Sequence, residues 1–106
     1  MLRRRNPISV AELQAVLGPF CQKHLIRRLA VFGSVAKGVA TLESDVDLLV
    51  TLDEPRSTSD LLEMAGEAEE LVGVPVDFVL RSALEKSPNR FAREDILASA
   101  VPLYGS

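Results

Sequence analysis

The 106-residue chain carries 12 Lys and Arg against 15 Asp and Glu, a formal net charge of −3, and is 47% hydrophobic and 25% charged. Those proportions predict one small soluble domain with a single core spanning residues 1–106, and the acidic balance argues against a protein that grips a nucleic-acid backbone. The lone cysteine, Cys21, excludes an internal disulfide; without a cysteine/histidine cluster there is no zinc site, and the single histidine, His24, removes most Ser-His and Cys-His nucleophile schemes.

No apolar stretch approaches the ~20 residues of a membrane span, so no membrane association is expected and a reducing cytoplasm is the default compartment. Charge is unevenly spread. Between Glu43 and Asp77 lie eleven acidic residues against one base, Arg56, whereas the first 28 residues carry six basic side chains against Glu12. Arg3, Arg4 and Arg5 sit in a stretch, residues 1–8, that reads as a flexible solvated tail.

Ser9 followed by Glu12 forms a capping-box pattern, and Val10, Leu13, Leu17, Phe20 and Cys21 recur at helical spacing. This predicts a helix from Val10 to His24, bent or broken at Gly18-Pro19, with Cys21 on its core stripe. Arg28 to Phe32 reads as the first strand, Ser34 to Lys37 as a short helix ending at Gly38, and Asp45 to Leu52 as the second strand. A helix from Ser59 to Val72 follows, with Leu61, Met64, Ala65, Ala68, Leu71 and Val72 on its apolar stripe and Glu63, Glu67 and Glu70 on a solvated face. Pro75 to Leu80 is the third strand. Ser87-Pro88 caps a helix running to Ala100, and Pro102 to Tyr104 forms a short edge strand. The expected fold class is α/β (α+β), a mixed sheet of three to four strands packed with helices.

One run stands apart from the scaffold, GSVAKGVATLESDVDLLV from Gly33 to Val50. Residues two apart on a strand share a face, so Asp45 and Asp47 should project together with Cα atoms ~6.6 Å apart. Like charges held that close call for a divalent cation. Gly33-Ser34, placed directly after an apolar strand, offers backbone N–H groups and a hydroxyl to an anion. Taken singly, Gly33-Ser34 also suits an ordinary turn, and the two aspartates suit a solvated strand start. Asp77, flanked by Val76 and Phe78, is a misfit in an apolar strand. It either joins the first two carboxylates or lies on an exposed sheet face. Gly33 and Gly38 have P-loop spacing, but Val39-Ala40 replaces the required Lys-Ser/Thr.

Gly33-Ser34, a ten-residue spacer, Asp45-Val46-Asp47 and a later Asp77 together resemble the nucleotidyltransferase superfamily that includes DNA polymerase beta. The fuller string is similar to the minimal nucleotidyltransferases, or MNT proteins, the antitoxins of HEPN/MNT toxin–antitoxin pairs, across nearly the whole chain. Lys37 departs from the arginine usual there, keeping the charge but not the planar fork. The resemblance implies a nucleotidyltransferase fold in which Gly33, Ser34 and Lys37 bind the phosphates of ATP. It further implies that Asp45, Asp47 and Asp77 are catalytic and hold two Mg²⁺ ions. The implied reaction is transfer of AMP to a hydroxyl of a HEPN-domain toxin. Alternatives are an antitoxin acting by binding alone, or nucleotidyl transfer to a small molecule.

Overall fold

The apolar run Leu48-Leu49-Val50 forms the middle of an inner strand, because burial on both faces favours apolar side chains. A computed structural model describes residues 6–105. In chain order the elements are α1 (Val10–Lys23), β1 (Ile26–Phe32), α2 (Gly33–Lys37), β2 (Val46–Leu52), α3 (Thr58–Val72), β3 (Val76–Leu80), α4 (Arg81–Glu85), α5 (Arg90–Ser99) and β4 (Val101–Tyr104). They form a four-stranded mixed sheet of order β3-β2-β1-β4. The β1 strand pairs antiparallel with β2 and β4, and β3 pairs parallel with β2.

Helices cover both faces unequally. Val46, Leu48 and Val50 of β2 turn into the main core, shared with Leu13, Leu17, Phe20 and Cys21 of α1 and Met64, Ala68 and Val72 of α3. Leu49 turns the other way, onto Phe32 and Leu84, in a thinner layer that Ile96 of α5 helps to cover. Each fully buried Leu or Val of β2 contributes about 1.5–3 kcal/mol. Among the described residues no helix is long and apolar enough to cross a membrane.

Several expectations need correction. Helix α1 runs unbroken through Pro19. Pro19 lies on the exposed face, where water can serve the carbonyl it deprives, and buried Leu13, Leu17, Phe20 and Cys21 offset a cost of about 3 kcal/mol. The last helix starts at Arg90 with Asn89 as its cap, the Asn89 side chain accepting from Ala92 N–H at 3.1 Å. Asparagine caps as well as serine, so Ser87-Pro88 falls instead in the link from α4, an element unmarked by periodicity. Glu67 is not simply solvated: it takes Lys23 Nζ at 2.7 Å and His24 Nε2 at 3.0 Å, tying α3 to the end of α1. Those two hydrogen bonds, chiefly the one from Lys23, hold its carboxyl below the usual range. Ile8 is buried in the core, so the tail expected over 1–8 ends before it; Arg3, Arg4 and Arg5 lie outside the described residues.

Helix α3 starts at Thr58, one residue before the expected Ser59, with Ser57 as its cap. Ser57 accepts from Asp60 N–H at 3.1 Å, and Gly73 closes the helix at φ 83°.

Cys21 is sealed in the main core, and burial pushes its thiol up to about 11. The thiolate is the reactive species, so Cys21 should resist a disulfide reagent at pH 8 until the protein unfolds. Labelling rates measured against urea concentration should track global unfolding; fast labelling in native buffer would contradict this packing.

Candidate active site

The topology of β1, β2 and β3 gathers the run Gly33 to Val50 and Asp77 at one end of the sheet. Antiparallel pairing sets the end of β1 beside the start of β2, with Phe32 opposite Asp47. Parallel pairing sets the start of β3 beside the same point, with Asp47 opposite Asp77. Neighbouring strands lie about 4.8 Å apart, so the two carboxylates sit on adjacent rungs and the same face. Asp77 is exposed, as an isolated surface residue would be, but its register places it in the row with Asp47.

Asp45 departs from the expected geometry. The β2 strand begins at Val46, so Asp45 precedes the ladder and its direction is not set by strand alternation. It is exposed, whereas Asp47 is half-buried. Burial raises the carboxyl pKa of Asp47, and the charges of Asp77 and then Asp45 raise it further. The three groups therefore lie close enough to repel. Among the described residues none of them has an ion-pair partner.

Gly33 makes the close approach possible. Its φ is 73°, in the left-handed region, and a Cβ there would sit inside the envelope of Asp47 Oδ2. Only a residue without a side chain lets the backbone lie against that carboxylate. Ser34 follows in the first turn of α2, half-buried, with a hydroxyl that makes no hydrogen bond among the described residues. Lys37, at the end of α2, lies 4.0 Å from Asp95 Oδ2 of α5, with half its side chain exposed. Such a surface pair is worth little and leaves the ammonium available to another anion.

The donor set fits Mg²⁺. It offers carboxylate oxygens without a competing cation, and mutual repulsion that a divalent ion would relieve. Among the described residues, no three His, Cys, Asp or Glu side chains converge into a complete metal cage. Mg²⁺ keeps waters and takes one or two carboxylates together with substrate phosphates. A groove of ≈ 470 Å³ lies at the far ends of β2 and β3, lined by residues that include Leu52, Pro55, Leu80 and Arg81.

The segment 39–44 links α2 to β2. It contains a hydroxyl-closed turn in which Thr41 N–H donates to Ser44 Oγ at 2.8 Å and Ser44 N–H to Thr41 O at 3.1 Å. Its signal in the sequence is a Thr and a Ser three residues apart, a pattern common in turns and therefore easily passed over.

Three outcomes follow from this geometry. Gly33→Ala should cost about 1–2 kcal/mol for the left-handed backbone and displace the Asp47 carboxylate, checked by urea unfolding and by the carboxyl resonance of Asp47. For Asp47, whose folded pKa is raised, the stabilising effect of protonation is fully present below the ordinary value of about 3.9 and is lost as pH rises through the folded value. Asp47→Asn should therefore melt above the wild type at pH 7, the gap closing near about pH 3. Millimolar Mg²⁺ should raise the melting temperature of the wild type and not of the variant.

Comparison with known proteins agrees with this geometry. Residues 13–102 match the model of the nucleotidyltransferase domain family. A Methanocaldococcus jannaschii protein with the provisional name of protein adenylyltransferase is 31% identical over 77 residues, 73% of this chain and 83% of that protein. The protein adenylyltransferase MntA of Thermococcus cleftensis is 40% identical over 60 residues, 57% of this chain and 61% of MntA, so the match spans about three fifths of that relative. A solved structure provisionally identified as a minimal nucleotidyltransferase superposes with TM-score 0.67 at 36% identity, covering 90% of this chain and 96% of that one. A Shewanella oneidensis complex of a tri-AMPylated HEPN toxin with its MNT antitoxin shares the fold, at TM-score 0.67 and 13% identity over 92% of this chain and 73% of that one. With the fold, the glycine–carboxylate contact and these matches in agreement, the chain belongs to the nucleotidyltransferase domain family, among its minimal nucleotidyltransferases.

Proposed function

We propose that this nucleotidyltransferase moves AMP from ATP to a hydroxyl of a HEPN-domain toxin, in a reaction that needs Mg²⁺, and serves as the antitoxin of that pair in the cytoplasm. The observation that carries the reading is the row of Asp47 and Asp77 across β2 and β3, repelling each other beside a left-handed Gly33. The MntA relative is named a protein adenylyltransferase, and the Shewanella neighbour is a complex with an AMPylated HEPN toxin.

Gly33 and the Ser34 hydroxyl receive the triphosphate, and Lys37 adds positive charge at the other end of α2. Asp45, Asp47 and Asp77 would hold the cations, and Asp77, which is exposed, takes the proton of the attacking hydroxyl. When bound, two Mg²⁺ ions stabilise negative charge on the entering and leaving oxygens and lower the pKa of the hydroxyl. The acceptor oxygen bonds to the α-phosphorus, the bond to the β-phosphate oxygen breaks, and pyrophosphate leaves. The partner's surface selects which hydroxyl is presented.

Incubation of the chain and a HEPN partner with α-labelled or γ-labelled ATP tests this directly. The α label should appear on the partner, and Asp45→Asn with Asp47→Asn should lower transfer by at least about a hundredfold. Transfer of the γ label would refute nucleotidyl transfer. If the double variant, co-expressed at equal level, still protects cells, binding alone neutralises the partner.

A further inference from the structure

Of the three carboxylates, Asp45 is the one that no strand holds. The ladder of β2 starts one residue later, and the Asp45 side chain is exposed and makes no hydrogen bond among the described residues. Its backbone is nevertheless gripped from both sides. After it, Val46 N–H donates to Pro75 O at 3.0 Å. Before it stands the turn from Thr41 to Ser44. Ser44 N–H donates to Thr41 O at 3.1 Å, Thr41 N–H to Ser44 Oγ at 2.8 Å, and Glu43 N–H to Thr41 Oγ1 at 3.3 Å. The two hydroxyl oxygens lie 3.3 Å apart. Because Ser44 Oγ already accepts from a backbone amide, its own proton is free to go to Thr41 Oγ1.

Packing does not do this job. Thr41, Leu42 and Glu43 are all exposed, so hydrogen bonds rather than core contacts shape the turn. We infer that Ser44 is a positioning residue: its hydroxyl clamps the turn directly before Asp45 and so aims that carboxylate at the divalent cation it shares with Asp47. The inference rests on the metal-dependent transfer proposed above. Freezing one backbone residue on binding weakens an interaction by about tenfold, and the clamp removes that loss in advance. Asp47 and Asp77 need no such device, because the strand ladder already fixes them.

The test is calorimetric titration of Mg²⁺, and of Mn²⁺ as a second probe, into the chain saturated with a non-hydrolysable ATP analogue. Wild type, Ser44→Ala, Ser44→Thr and Asp47→Asn are compared, with melting temperatures recorded without metal. Ser44→Ala should bind the cation about tenfold more weakly at an almost unchanged metal-free melting temperature, and Ser44→Thr, which keeps the hydroxyl, should restore affinity. Cation binding by Ser44→Ala as tight as wild type overturns the inference and leaves the proposed activity standing. Weakened binding accompanied by a large drop in the metal-free melting temperature also overturns it, since Ser44 would then only support the fold. If the wild type binds no more tightly than Asp47→Asn, the metal-dependent activity and this inference fall together.

Discussion

Repulsion among carboxylates at one end of an otherwise apolar sheet is the constraint around which this molecule is arranged. Asp47 extends a strand whose next three residues, Leu48, Leu49 and Val50, are all buried, so it cannot swing away without disturbing both cores. Asp77 stands beside it on the next strand, and the charge of Asp45, two residues earlier in the chain, adds to the repulsion. The folded state carries this cost at neutral pH, and the apolar packing on both sides of β2 offsets it. A site held at a small expense of stability is what binding a doubly charged cation requires.

Strand order gathers that constraint at one end of the sheet. With β2 between an antiparallel and a parallel neighbour, three chain segments distant in sequence reach one point: the end of β1, the start of β2 and the start of β3. Fully parallel α/β sheets place ligands beyond the carboxyl ends of their strands. Here the acidic row lies at the opposite end of the parallel pair, because the glycine turn that faces it is delivered by an antiparallel partner. The missing Cβ of Gly33 is the steric counterpart of the charge argument, since it lets backbone approach Asp47 where any side chain would collide. Among the solved structures that share the fold is an MNT antitoxin in complex with a HEPN toxin.

Much of this was readable in advance. The stripe of α3, apart from the exposed Leu71, the short α2 after β1, and the edge strand β4 all follow from local spacing. Local rules misled where the terms that decide lie elsewhere in the chain. Pro19 should interrupt α1, but four buried neighbours outweigh it. Glu67 looked like one of three equivalent surface glutamates until α1 brought Lys23 and His24 to it. Asparagine at 89 displaced the Ser87-Pro88 cap because the residue that caps is the one at which the chain leaves the preceding turn.

By itself the sequence determined the element order, the apolar faces and the residue types of the site, since periodicity, caps and the Gly-Ser and Asp-x-Asp spacing are properties of neighbouring residues. Tertiary structure alone decided that Asp77 sits on the rung beside Asp47, that Asp45 lies outside the ladder, and that Gly33 backs directly onto a carboxylate. Strand register and turn geometry depend on which distant segments pair, and that pairing is chosen by the burial of whole faces rather than by any local motif.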